Sequence, residues 1–335
     1  MSDLTGYLLS NGTDLSFVFQ SGNCTTNSGF ILSSGNDLST IFSALTVNHG
    51  YKTGFIYSGM NDLSMLFDAK TPIPLTITGC SLWMDASDIS KMTLTNSTSV
   101  NNWTDKSING YVFTSGVNKP TLVTNNQNGK SIISFNGSSN FFVGDTNSRN
   151  FTMGTNCYAL FVVFKRNDTS NAGIYNKSMY GLATNRYYCF VDSTSKFNVG
   201  FVHNSGGVIG SISDSIIINN TSYQIVSMTV NRQTEKKDTL YVNGTSAASY
   251  SYPSGDTYDY PPSTYNMYIG STGNSNGTSV QAGYYLNGNI AEIISYTNPY
   301  DMSNSTRQVI EGYLSWKWGI QNVLPISHQY YSSSP

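Results

Sequence analysis

Hydrophobic residues along this chain come in short runs set between clusters of Asn, Ser, Thr and Gly. Such runs, rich in β-branched and aromatic residues and bounded by turn formers, predict β-strands. They fall at Ser131–Phe135, Ala159–Phe164, Tyr187–Asp192, Phe197–Val202, Tyr223–Val230, Thr239–Val242, Met267–Ile269 and Asn289–Tyr296. Asn136-Gly137 and Asn243-Gly244 predict hairpins, because both residue types tolerate the positive φ of tight two-residue turns. One stretch has another period. Beyond Asn298-Pro299, the residues Val309, Ile310, Tyr313, Leu314 and Lys317 recur at helical spacing. Ser303 or Asn304 can cap this helix, and Gly319 can end it in the left-handed conformation.

The N-terminal region follows a third pattern. Gly6–Phe19, Gly29–Phe42 and Gly54–Phe67 align as three repeats whose leading glycines stand 23 and then 25 residues apart. Each reads as a short strand (Tyr7–Leu9, Phe30–Leu32, Phe55–Tyr57), a polar turn, and Asp-Leu-Ser-x-x-Phe with Asp14, Asp37 or Asp62 at an N-cap position. Leu15 with Phe19, Leu38 with Phe42 and Leu63 with Phe67 then share one face of a single helical turn. One unit cannot bury this pair alone, so the units stack on each other or on a partner, and these six residues are the expected assembly contacts. One carboxylate per repeat is too few for a calcium cage, which needs roughly six to eight oxygens. Two prolines in Thr71–Leu75 break the pattern. The expected organisation is an assembly arm (1–70), a Pro-containing connector (71–75) and a β-sandwich (76–331).

Composition sharpens this picture. Charged residues make up 11% of the chain, against about 25% in ordinary domains, so its polar surface comes from turn-forming amides and hydroxyls. The 24 Tyr and 16 Phe reinforce the β reading. A formal charge of −2 without a basic patch argues against nucleic-acid binding. No apolar run approaches the roughly 20 residues of a membrane span, and no secretory signal is recognisable at the N-terminus. Cys24, Cys80, Cys157 and Cys189 have no paired spacing; buried free thiols are expected rather than zinc ligands or a disulfide framework. Asn-x-Ser/Thr triplets, as at Asn96 and Asn243, follow from the abundance of these residues.

Two stretches carry a resemblance. Ser81–Asp88 (SLWMDASD), Val100–Gly110 (VNNWTDKSING) and Gly129–Phe142 (GKSIISFNGSSNFF) resemble the opening of a laminin-G-like, concanavalin A-like lectin/glucanase jelly roll. Gly288–Tyr296 (GNIAEIISY) and Ile310–Ile320 (IEGYLSWKWGI) resemble the end of that module, and together they cover about three quarters of the chain. The resemblance implies an all-β sandwich with one C-terminal helix. Modules with this WKWG-type tail look common in virion proteins of large DNA viruses and in bacterial surface proteins, and the DLSxxF repeats look like tandem repeats of giant-virus proteins.

Glucanases of this superfamily carry two or three carboxylates on one strand, where one acts as nucleophile and another as acid. This chain has three glutamates, Glu235, Glu292 and Glu311, and Glu292 has no carboxylate at i+2 or i+4. It reads as a hydrogen-bonded structural carboxylate near the sheet rim. His49, His203 and His328 lack a nucleophile elbow or metal spacing, so no enzyme is expected. Lectins of this fold use rim Asp and Asn residues, often around calcium, beside an aromatic platform. That resemblance makes Asp85, Asp88 and Asp105 calcium candidates, with Trp83 and Trp103 nearby; in the alternative reading the aspartates cap turns and the tryptophans pack the sandwich. The Tyr-rich stretch 250–268 is a further contact candidate.

The leading expectation is a non-enzymatic structural protein of a large DNA virus. It would be located on the virion, docking to copies of itself or to other virion proteins through residues 1–70. A glycan-binding lectin or adhesin is the alternative, and a glycosidase a distant third.

Overall fold

The computed structural model describes residues 4–10, 27–33, 52–58, 72–177, 186–202, 208–213, 221–251, 264–274 and 279–335. The chain divides into two compact units, Met1–Lys70 and Thr71–Pro335.

In the first unit, β1 (Leu4–Ser10), β2 (Asn27–Ser33) and β3 (Lys52–Ser58) form a parallel sheet in that order. Gly6 pairs with Gly29, and Gly29 with Gly54, so every strand position lies beside its equivalent in the next repeat. The repeat alignment is the strand register. Leu15, Phe19, Leu38, Phe42, Leu63 and Phe67 lie outside the described residues.

The second unit begins within the expected connector. Ile73–Thr76 forms a single helical turn, α1, with Pro74 buried and its carbonyl accepting from Tyr296 Oη at 3.1 Å. This segment is therefore docked on the sandwich and is not a free spacer.

The sandwich strands follow in chain order. The first seven are β4 (Cys80–Asp85), β5 (Met92–Thr95), β6 (Ser99–Thr104), β7 (Val112–Ser115), β8 (Thr121–Gln127), β9 (Lys130–Asn136) and β10 (Phe142–Gly144). Then come β11 (Cys157–Arg166), β12 (Ala172–Gly173), β13 (Tyr175–Lys177), β14 (Arg186–Val191), β15 (Phe197–Val202) and β16 (Val208–Ser213). The last five are β17 (Gln224–Asn231), β18 (Lys237–Val242), β19 (Thr245–Ser251), β20 (Met267–Ile269) and β21 (Asn287–Asn298). One layer runs β19-β18-β17-β11-β21, with β21 continuing to β4 at one end and β9 at the other. The facing layer runs β5-β6-β7-β10-β20-β13-β14-β15-β16, and β8, paired to β9 and touching β6, joins the two.

Strand alternation gives the first layer two apolar faces. On β11, Tyr158, Leu160, Val162 and Phe164 enter the core between the layers, beside Trp103, Phe135 and Phe142. Ala159, Phe161 and Val163 point the other way, into a second core with Trp83, Ile294 and Tyr296. The C-terminal helix α2 (Asn304–Trp318) covers that second face with Ile310, Leu314 and Trp318. Its ends match the sequence reading. The Ser303 side chain accepts from Thr306 N–H, and Gly319 stops the helix at φ 65°.

The Asn243-Gly244 hairpin is present, with φ of 52° and 75° at its two residues. Asn136-Gly137 is not a hairpin. The Asn136 side-chain oxygen accepts from the N–H groups of Ser138, Ser139 and Asn140, and the chain leaves for β10 in the other layer.

Candidate functional site

Two of the calcium candidates, Asp85 and Asp88, sit in a network of lysines. Asp85, at the end of β4, pairs with Lys106 and Lys317 at 2.9 and 2.8 Å, and Lys106 also reaches Asp88 at 2.9 Å. Burial works against the Asp85 charge, but the two ammonium groups outweigh it and hold its carboxyl at about 2. Asp105 accepts from the N–H of Trp83 and of Ser107 on one oxygen and from the Ser107 hydroxyl on the other. It organises the turn after β6, and its own burial raises its pKa. Among the described residues, no group of three or more His, Cys, Asp or Glu is placed to hold a metal ion.

The network continues to Glu292, which is fully buried beneath α2 and so lies away from the rim. A β-bulge opposite Val163 and Phe164 is the cause: it adds one residue to β21, so Ile290 and Ile293 both face the inner core while Glu292 turns toward the helix. Its Oε1 accepts from Trp83 Nε1 (2.6 Å) and Tyr313 Oη (3.0 Å). Its Oε2 accepts from Trp318 Nε1 and pairs with Lys317, both at 2.8 Å. The carboxylate is therefore a structural junction of strand and helix.

Glu311 is equally sealed. It takes hydrogen bonds from Ser227 and Arg307, and His328 Nε2 lies 3.1 Å from it. Since His328 Nδ1 accepts from the N–H of Tyr330, Nε2 bears the proton of the neutral ring. This cluster fastens the C-terminal tail to the helix. Glu235 is exposed in a turn and accepts from Asn231. No two of the three glutamates share an open cleft. The four tryptophans pack: Trp103 between the layers, Trp83 and Trp318 under the helix, and Trp316 donating to the Tyr330 carbonyl at 2.9 Å. Cys80, Cys157 and Cys189 are free thiols whose pKa values burial pushes to about 12, 11 and 12. Cys24, His49 and His203 lie outside the described residues, as does most of the 250–268 stretch.

An open site forms where the helix stops covering the sheet. After Gly319 the chain turns, Ile320 and Leu324 drop into the second core, and the tail runs back along the helix. The β8–β9 hairpin fixes this corner, with Gln127 Nε2 donating to the Trp318 carbonyl at 2.8 Å and Asn128 Nδ2 to that of Lys317 at 3.0 Å. The sheet row left uncovered is polar. Lys165 follows Val163 by two on β11 and so shares its outward face; Asn289 pairs directly with it across β21. Tyr223 stands one step beyond the Phe164–Gln224 pair on the opposite neighbour. The resulting cleft has a volume of about 420 Å³, walled by Asn126, Gln127 and Asn322 and floored in part by Ile320 and Val323. Tyr223 Oη donates to Asn126 Oδ1 at 3.0 Å, and burial raises its pKa to about 12, so it stays a neutral hydroxyl. None of these residues was singled out as a site by sequence. Asn128-Gly129, both at positive φ, was the available signal for the hairpin that builds the wall.

The sequence matches no protein-family model and no curated protein. Solved structures do match. The binding domain of paraclostridial mosquitocidal protein 1 superposes with a TM-score of 0.50 at 12% identity, over 70% of this chain and 52% of that one. The botulinum neurotoxin serotype D ligand-binding domain, solved with N-acetylneuraminic acid, gives 0.48 at 12% identity, over 71% and 52%. The module CBM40 of a Ruminococcus gnavus sialidase, bound to α2,3-sialyllactose, gives 0.35 at 12% identity, over 46% and 81%. The fold is a lectin-like β-sandwich. This chain spans about half the length of the two toxin structures, and at such identities the likeness is one of architecture. Among the described residues no helix is long and apolar enough to cross a membrane.

Proposed function

We propose that the Thr71–Pro335 unit is a non-catalytic carbohydrate-recognition module, carried by a repeat arm that docks it into a larger body. The observation that carries this reading is the cleft at Lys165, Tyr223 and Asn289. Its amides and tyrosine hydroxyl match the donor and acceptor pattern of sugar hydroxyls, and Ile320 with Val323 offers an apolar ledge to a sugar's C–H face. The sealing of Glu292 and Glu311 supports the non-catalytic part, since neither carboxylate can reach a glycosidic bond. The test is a glycan array probed with the full-length protein. A defined set of bound glycans, lost or weakened in Tyr223→Phe and Asn289→Ala variants that stay folded, is the expected result. A flat array overturns the reading.

The arm favours a second role beside the first. Parallel, in-register pairing of equivalent repeat strands leaves the two outer strands, among the described residues, with the same pairing groups that join their neighbours. Self-association or docking through residues 1–70 is the corresponding proposal. The virion of a large DNA virus is the proposed setting, on the strength of the repeat and tail resemblances. Solution mass of the full chain beside a chain starting at Thr71 tests it; equal, monomeric masses refute assembly through the arm.

A further inference from the structure

The charge on the cleft is unbalanced. Lys106 and Lys317, which pack under and on the helix on this face of the first layer, each pair with two carboxylates. Lys165 forms no ion pair and no side-chain hydrogen bond among the described residues, and the cleft lining contains no Asp or Glu. It is half-buried, in the middle of a three-strand row, between a tyrosine and an asparagine that are both neutral. With strands roughly 4.8 Å apart, Tyr223 and Asn289 flank it at about one strand spacing on either side. A ligand seated on this row meets one cation at its centre and hydrogen-bonding neutral groups around it. Many surface lysines are simply solvated. This one stands on the floor of a cleft of about 420 Å³, within the size class of small-molecule sites, roughly 300–1,000 Å³.

We infer that the cleft takes an anionic saccharide unit, with Lys165 Nζ as counter-ion to its acidic group. The inference rests on the carbohydrate reading above and adds the charge of the sugar. Amides and a tyrosine hydroxyl serve hydroxyl groups of either hydrogen-bonding polarity, and Ile320 and Val323 serve the ring's apolar face. The one requirement left is a negative charge. An ammonium group acts as a compact point charge without the planar fork that selects carboxylate geometry, so carboxylated and sulfated sugars share the needed chemistry. A nucleic acid is a poor fit, since the lining offers one cation and one aromatic side chain for a polymer with a charge at every residue.

The experiment uses the full-length protein at low ionic strength, titrated calorimetrically with glucuronic acid, N-acetylneuraminic acid, galactose 6-sulfate and neutral galactose. The expected result is binding of at least one acidic sugar about tenfold more tightly than galactose, a difference of roughly 1.4 kcal/mol. Lys165→Gln removes that margin while leaving the melting temperature unchanged. Asn289→Asp places a competing carboxylate beside Lys165 and abolishes binding of the acidic sugars. Carboxylated and sulfated sugars binding alike support the point-charge account; carboxylated sugars alone also support it and narrow the class. Galactose binding as tightly as the acidic sugars, with no change in Lys165→Gln, overturns the charge inference and leaves the carbohydrate reading intact. Acidic-sugar binding untouched by both variants places the site elsewhere and overturns the assignment to this cleft. If none of the four sugars binds while the array shows another glycan bound through Tyr223 and Asn289, the charge inference alone is overturned.

Discussion

Replacing Glu292 with Gln tests whether one carboxylate joins the sandwich to its helix. Glu292 receives four donors: Trp83 Nε1 and Tyr313 Oη on one oxygen, Trp318 Nε1 and Lys317 Nζ on the other. A Gln side chain is nearly isosteric but has one oxygen, so in either orientation its amide nitrogen faces two of these donors. Each buried donor left without an acceptor costs about 1–3 kcal/mol, and breaking a buried ion pair costs about 3–5 kcal/mol. Lys317 keeps Asp85 as a partner, which moderates the loss. The expected destabilisation is therefore about 4 kcal/mol. At roughly 2–4 °C per kcal/mol for a unit of this size, the melting temperature falls by about 8–16 °C. Tryptophan fluorescence reads this unit alone, because all four tryptophans lie between residues 83 and 318. Glu235→Gln, at an exposed turn, serves as control and shifts stability by no more than about 0.5 kcal/mol. A Glu292→Gln loss below about 1 kcal/mol would refute the claim that the carboxylate holds strand and helix together.

Gly312 lies in the interior of α2, where Ala is ordinarily better by about 1 kcal/mol. A Cβ there would come within 2.6 Å of Tyr330 Cβ, so Gly312→Ala is expected to destabilise by about 1–3 kcal/mol, and to stabilise instead in a chain ending at Gln329; thermal denaturation of the four proteins checks both signs. Asp85 predicts an acid limb. Its carboxyl is held at about 2, below the ordinary value of 3.8, so its contribution of about 2 kcal/mol is present above pH 4 and is lost as pH falls through 2. Urea midpoints measured from pH 5 to pH 2 fall accordingly, and Asp85→Asn flattens that segment of the curve.

The strands that sequence located are those buried on both faces or richest in β-branched and aromatic residues. β11, β17 and β21 are buried along most of their length, with apolar residues on both faces, because one face meets the inner core and the other the helix. Strands such as β5, β7 and β8 carry Thr, Ser and Asn on their open faces, and the same residues fill the turns, so composition could not separate them. The helix and both its caps were legible, since Ser303 and Gly319 act locally. The bulge that turns Glu292 toward the helix was not, because it depends on the partner strand's register. The cleft was illegible for a similar reason. Lys165, Tyr223 and Asn289 are scattered in sequence and meet only through two strand pairings, beneath a tail whose course is set by the end of α2.

The register of β1, β2 and β3 makes their sheet a graduated scale. Each strand position abuts its own counterpart in the next repeat, so gaining or losing a whole repeat moves the end of the sheet by one strand spacing, roughly 4.8 Å, and leaves every other pairing as it was. Gain or loss of a unit between repeats that share one motif produces just such whole-unit changes. The width of this sheet can thus be adjusted in fixed increments by copy number, with no compensating change in its other pairings.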